Sequence, residues 1–392
     1  INMSKKPDTM ETEEATKIQQ EDETVANASV QQKYKFAADI VNETLALLMK
    51  EVAPGKKVVD LCNIGDNFVT EKVKNVFKKV KKMPKGLAFP TCVSINEVVC
   101  HFSPLAEDLT VVSQGDVVRF DVGVHVDGFI AVGATTVILE SGALQGERAD
   151  VFAAAQTALE VAKRLVKPGH TNTEVSKALN QVATDFGVNI CEGVLSHELK
   201  RNVIDGNKVI LGKPTADQTV DEFTFEPGQV FSLDIVVSSG DGKLSERNHR
   251  PTIYKRNPQI TFHLKNESSK KFLKEVQTRF ESMPFSLRQI DRKIAGMGVI
   301  ECFRHGLVDP YPVLCEKKHA TVVQFKTTLI LMPRETVQAV NFQVQSYTSS
   351  KSVQNEEVKK ILQTTMKIGK KKAAAQKNAA TSSGEAMDTS AE

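Results

Sequence analysis

Apolar positions recur along this chain in two periods, and the change from one to the other divides it. Between residues 34 and 50, Phe36, Ile40, Val41, Thr44, Leu45 and Leu48 fall at helical spacing, predicting an amphipathic helix that Pro54-Gly55 ends. A second helix is predicted from Asp66 as N-cap, with an apolar stripe of Val69, Val73, Val76, Phe77 and Val80. Its other faces carry Lys72, Lys74, Lys78, Lys79, Lys81 and Lys82. From Val117 the pattern is that of strands: 117–126, then Asp127-Gly128, then 129–132 and 135–139. An Asp-Gly pair between such runs predicts a two-residue hairpin. Helices are predicted at 151–166 and 171–186, strands again at 229–237 and 321–332, and helices broken at Pro284 across 268–307. Strands with helices between and after them predict an α+β or α/β domain, with α+β preferred.

The hairpin places candidate chemistry. Asp121 lies inside an apolar strand, where an ionised carboxylate is costly unless paired or metal-bound. With Asp127-Gly128 as the turn, 126 pairs with 129 and 123 with 132, so position 132 is diagonal to 121 on one face. Two carboxylates there would hold a divalent cation, but position 132 is Val132. Asp121 is then either a ligand or a strand residue with a local partner. His101 and His197 are isolated histidines in partly apolar settings, each a core residue or a ligand. Asp234 and Lys326 are charges inside apolar strands, and a solvated strand face is the simpler account of the lysine.

Composition adds limits. The 392 residues are 41% hydrophobic and 25% charged, as in globular proteins, with a formal net charge of +3. Residues 7–24 are acidic and polar, so a disordered tail is expected over 1–30. Neither the basic start nor the apolar run of a secretory signal is present, and Met3 is a candidate start. No apolar run is long enough to span a bilayer. The six cysteines (Cys62, Cys92, Cys100, Cys191, Cys302, Cys315) have no framework spacing, so buried thiols in a reducing compartment are expected. Beyond residue 346 apolar content falls. A short helix is expected there, followed by a basic and then Ser/Ala-rich flexible tail carrying Lys370, Lys371 and Lys372.

The order of these segments resembles the methionine aminopeptidase-like, pita-bread family over about 31–332. Ala88-Phe89-Pro90-Thr91, Cys100-His101-Phe102-Ser103-Pro104, Phe120-Asp121-Val122-Gly123-Val124-His125, Leu195-Ser196-His197 and Gln324-Phe325-Lys326 carry the likeness. Working members hold two metal ions with two Asp, one His and two Glu, and a further His orients the substrate. The resemblance sets the first Asp on Asp121, the ligand His on His197 and the substrate His on His101. It sets the second Asp on Val132, the first Glu on Asp234 and the last Glu on Lys326. Both bridging carboxylates are then missing, and one position is a cation. No cofactor and no catalysis are expected, and Lys326 is expected to neutralise Asp121 or Asp234.

The 92 residues from Asp234 to Lys326 (326 − 234) resemble the type-two aminopeptidases, which carry a helical insert there, here about 256–320 within a domain of 31–345. Within that group, Lys85-Gly86-Leu87-Ala88-Phe89-Pro90-Thr91, Val124-His125-Val126-Asp127-Gly128-Phe129-Ile130-Ala131 and Thr252-Ile253-Tyr254-Lys255-Arg256 resemble the proliferation-associated, ErbB receptor-binding proteins. The LxxLL element of that family is replaced by Val358-Lys359-Lys360-Ile361-Leu362. The resemblance implies ribosome association, cytoplasmic and nucleolar or nuclear location, and receptor or nuclear protein partners. A monomer is expected. The lysines 72, 74, 78, 79, 81, 82 and 85, with 370–372, suit phosphate contacts, and the absence of Trp favours backbone contact with structured RNA over base stacking. Two other readings stay open: an aminopeptidase with one metal on Asp121, His197 and Asp234, and a nuclear DNA-binding co-regulator.

Overall fold

The structure is a computed structural model that describes residues 23–215 and 218–368. Helices α1 (Ala28–Glu51) and α2 (Val58–Lys74) precede strands β1 (Lys85–Ile95), β2 (Val117–Val126) and β3 (Phe129–Ile138). Helices α3 (Gly146–Leu165) and α4 (Asn172–Phe186) follow. Then come β4 (Leu195–Leu199), β5 (Val209–Leu211), β6 (Val230–Ser238), α5 (Glu267–Arg279), α6 (Arg292–Arg304), β7 (Val322–Leu331) and α7 (Glu356–Gln363). The seven strands form one antiparallel sheet in the order β1-β2-β3-β7-β6-β4-β5.

The hairpin forms as expected. Asp127 (φ 55°) and Gly128 (φ 77°) both take the left-handed conformation that a tight two-residue turn requires, and Gly123 pairs with Val132. Alternation along the strands then sorts residues between two faces. On one face Phe120, Val122 and Val124 of β2 meet the helices α1 and α2, while Leu233, Ile235 and Phe325 meet α3 and α4. The opposite face receives Asp121, Ser232, Asp234, Gln324, Lys326 and Thr328, nearly all buried. Both faces are therefore covered, and the polar row is enclosed rather than solvated.

Four expectations need correction. Asp66 is no N-cap: α2 begins eight residues earlier, and the Asp66 carboxylate accepts from the Thr91 amide (2.8 Å) and pairs with the buried Arg288 (2.5 Å). The lysine-rich segment is not helical beyond Lys74. Asn75 caps α2, and left-handed Phe77 (φ 46°) and Lys82 (φ 66°) turn the chain, leaving Lys78, Lys79, Lys81 and Lys82 on an exposed turn. Lys85 starts β1 and donates to the Val76 carbonyl, closing that turn.

The short helix expected beyond 346 forms as α7, and the tail, expected to be flexible around it, packs on the core as far as 368. Tyr347 donates to Gln156 (2.6 Å), the amides of Gln354 and Asn355 bind Asp185, and Val358 of α7 is buried. The acidic tail expected over 1–30 likewise ends earlier, since Val25 and Val30 are core residues. Lys370, Lys371 and Lys372 lie outside the described residues. The segment 256–320 holds α5 and α6 around a cluster of Phe272, Val276, Phe285 and Val299, beside a small sheet of 253–256, 285–286 and 308–311. No described helix is long and apolar enough to cross a membrane.

Candidate functional site: a pocket closed by an ion triad

Sheet register builds the site. Asp121 pairs with Ala134, Ala134 with Lys326 and Lys326 with Asp234, so four strands set these residues in one row. Residues paired across neighbouring strands share a face. Two positions along, His197 pairs with Ser232 and Val132 with Gly123. His101, Asp121, Val132, His197, Asp234 and Lys326, all chosen from sequence, thus line one pocket of about 200 Å³.

The Lys326 ammonium bridges the two carboxylates. It donates to Asp121 Oδ2, and lies 2.9 Å from Asp234 Oδ2. Gln324 Nε2 holds the other Asp234 oxygen at 2.9 Å. Burial alone would discharge this lysine, but Asp121 and then Asp234 more than reverse that and hold its pKa above the usual lysine range. Burial pushes the Asp121 carboxyl up, Lys326 pulls it down, and Asp234 adds to the rise. The triad sets one cation between two carboxyl groups.

Burial disfavours the charged form of both pocket histidines. Burial, with Lys326 beside it, lowers His197 to about 4. His101 is lowered chiefly by burial, while its Nδ1 bonds the Pro312 carbonyl at 2.9 Å. It sits at φ 62°, between Phe89 and Tyr311 at ring distances of 5.7 and 5.4 Å. Val132 presents methyls, and its backbone exchanges hydrogen bonds with the Thr328 hydroxyl at 2.8 and 2.9 Å.

Sequence reasoning missed the mouth of the pocket. Asp205 lies there, held by Lys255 at 2.6 Å, with the Tyr311 hydroxyl 3.5 Å away. These residues come from irregular segments and a short strand, where neither periodicity nor a motif marks them. Gln324 could have been found: it stands two residues from Lys326 on the same strand face.

Divalent cations need several oxygen or imidazole ligands converging on a point. Here an ammonium occupies the space between the two carboxylates, a valine stands diagonal to Asp121, and no described group of three or more His, Cys, Asp or Glu side chains is arranged to hold a metal. The donor set does not fit a dinuclear centre.

Fold and pocket together define a pita-bread protein, and the model of Metallopeptidase family M24 matches residues 32–259. Among curated relatives, "ErbB-3 binding protein 1" of Solanum tuberosum is 46% identical over 344 residues, covering 86% of this chain and 88% of its own length. The "Curved DNA-binding protein" of Schizosaccharomyces pombe is 37% identical, covering 93% and 97%. The solved structure of "a thermophilic Arx1" superposes with a TM-score of 0.82 at 29% identity, over 87% of this chain and all of that one. The chain belongs to metallopeptidase family M24 and, within it, to the ErbB-3-binding and proliferation-associated proteins.

Proposed function

We propose that this chain is a catalytically inactive aminopeptidase homologue that acts as a ribosome- and RNA-associated binding protein in growth, ribosome biogenesis or translation control. The observation that carries the inactive half is Lys326 placed between Asp121 and Asp234. In the working enzymes that this site resembles, both bridging positions are carboxylates; here Val132 and Lys326 stand in them. Hydrolysis in such a site depends on a metal-activated water, and the ammonium repels the ion that would supply it. The single-metal alternative needs Asp121, His197 and Asp234 free to converge on one ion, while both carboxylates already hold Lys326.

Binding then falls to the surface. Lys78, Lys79, Lys81 and Lys82 are exposed and make no ion pair among the described residues, whereas Lys72 and Lys74 on α2 are paired with Glu43 and Glu71. Four unpaired ammonium groups on one turn suit phosphate oxygens, whose contacts are independent of sequence and sensitive to salt. The relative in Schizosaccharomyces pombe, a curved DNA-binding protein, supports a nucleic-acid surface here. Cytoplasm, with nucleus and nucleolus, is the location that fits an RNA-associated role, and receptor or nuclear proteins are further partners.

Co-sedimentation with ribosomes tests this reading. Lys78→Glu, Lys79→Glu, Lys81→Glu and Lys82→Glu together are expected to weaken binding at least about tenfold at physiological salt, with a shallower salt dependence than wild type. Equal co-sedimentation of the two proteins would show that the turn does not contact the ribosome. Duplex DNA run in parallel distinguishes the co-regulator reading, which expects tighter binding to DNA than to ribosomes.

A further inference from the structure

Helix α6 is apolar on both of its faces. On the inner one Ala295, Gly298, Val299 and Cys302 are buried against the insert's core, and a Cβ at Gly298 would stand 2.3 Å from that of Phe272 on α5. On the outer one, Lys293, Gly296, Met297, Ile300, Phe303 and Arg304 follow the i, i+3, i+4, i+7 spacing that sets residues in one stripe. All six are exposed, Met297 by 58%, Ile300 by 49% and Phe303 by 52%. The stripe runs on past the end of the helix. His305 stacks on Phe262 with ring centroids 3.6 Å apart, and a Cβ at Gly306 would lie 4.0 Å from Ile260. Five of the ten large apolar side chains exposed among the described residues therefore lie on this insert, concentrated and not scattered.

The charges of the stripe have one sign. Lys293 and Arg304 make no ion pair among the described residues, and Arg292 at the near end pairs with Glu107. No carboxylate stands on the stripe: Asp291 caps the helix, and the half-buried Glu301 borders it. At Gly296 a Cβ would meet nothing within 4 Å, so the surface there is flat and a second backbone can come close. Met297 and Ile300 are aliphatic, and one side of the Phe262 ring is already covered by His305, so a nucleic-acid base finds little to stack on. The apolar ridge of another helix fits such a surface, with carboxylates at its margins to meet the cations. The 13 residues of α6 span about 20 Å, enough for a partner of three to four turns.

We propose that the outer face of α6 docks an acidic amphipathic helix of a protein partner. Apolar side chains of that helix at i, i+3 or i+4, and i+7 sit over Met297, Ile300 and Phe303, and its Asp or Glu residues lie beside Lys293 and Arg304. The site is separate from the lysine turn and does not rest on it.

The probe is a fluorescent 16-residue helical peptide with Leu at i, i+4, i+7 and i+11, Glu on both flanks of that stripe and Ala elsewhere. Anisotropy with the full chain should show saturable binding with a Kd of about 10–100 µM. Binding should shift the ¹³C-methyl signal of Met297, identified by its loss in Met297→Leu. Ile300→Glu should weaken binding at least about tenfold, because it sets a carboxylate in the apolar contact and against the acidic flanks. Lys293→Glu with Arg304→Glu should weaken it about three- to tenfold, less so as salt rises. All these side chains are exposed, so thermal melts of the variants should match wild type. No saturable binding, or equal binding by wild type and Ile300→Glu, overturns the proposal. A 20-base-pair RNA duplex is titrated in parallel against Ile300→Ser with Phe303→Ser. If those changes weaken RNA binding and leave peptide binding intact, the face contacts nucleic acid and the proposal fails.

Discussion

Replacing Lys326 by alanine is expected to destabilise the protein by about 3–5 kcal/mol, the cost of leaving a buried ionic group without its partner. The reason lies in the row Asp121–Ala134–Lys326–Asp234. Strand register fixes the two carboxylates on one face, and the ammonium between them is their only cationic contact among the described residues. Without it, Asp121 and Asp234 must take up protons or draw in water. Gln324 donates to both Asp234 oxygens but carries no charge to offset either carboxylate. Equilibrium denaturation at pH 7 measures the loss, and it should diminish toward pH 4, where protonation removes the repulsion. Lys326→Met, which keeps the length and loses the charge, should cost nearly as much. If it were neutral, the packing of the stem and not the ion triad would be holding the site.

The second large effect is a gain. Lys326→Glu puts three carboxylates and the neutral His197 around one pocket, a donor set of the kind that divalent cations take. Without metal this variant should be less stable than Lys326→Ala, because a third buried negative charge joins two others. With Mn²⁺ or Co²⁺ it should recover, since a ligand that binds only the folded state stabilises it by RT ln(1 + [L]/Kd), about 2.7 kcal/mol at a hundred times Kd. Wild type should show no such response. The comparison is made by thermal melts with and without the ion, and a melting temperature of Lys326→Glu that ignores metal would mean the sheet no longer brings its donors together.

Much of this site was legible in the sequence because it is written in strand register. Asp127-Gly128 fixes the hairpin, the hairpin fixes which residue is diagonal to Asp121, and that residue is Val132. Lys326 and Asp234 stood out as charges in apolar runs. Their direct pairing across β6 and β7 joins segments 92 residues apart, a non-local fact that only the folded sheet supplies. Asp66 misled for the same reason in reverse. It has the residue type of a helix cap, but its partner Arg288 is 222 residues away.

The lysine turn was misjudged because lysine is a good helix former and the apolar spacing ran on through Phe77 and Val80. Asn75 and left-handed Phe77 stop the helix, and Phe77 packs on Phe36 of α1, a tertiary contact no local pattern reveals. The short helix expected beyond residue 346 forms as α7, while the packing of the stretch around it was not legible because its anchors, Tyr347, Val353, Val358 and Met366, are too widely spaced to set a period.

A metal titration of the wild-type protein probes the Lys326 triad most directly. Calorimetric titration with Co²⁺, followed by incubation with a peptide bearing N-terminal methionine, should give no saturable binding in the pocket and no cleavage. Stoichiometric Co²⁺ binding with turnover that His197→Ala abolishes would contradict it.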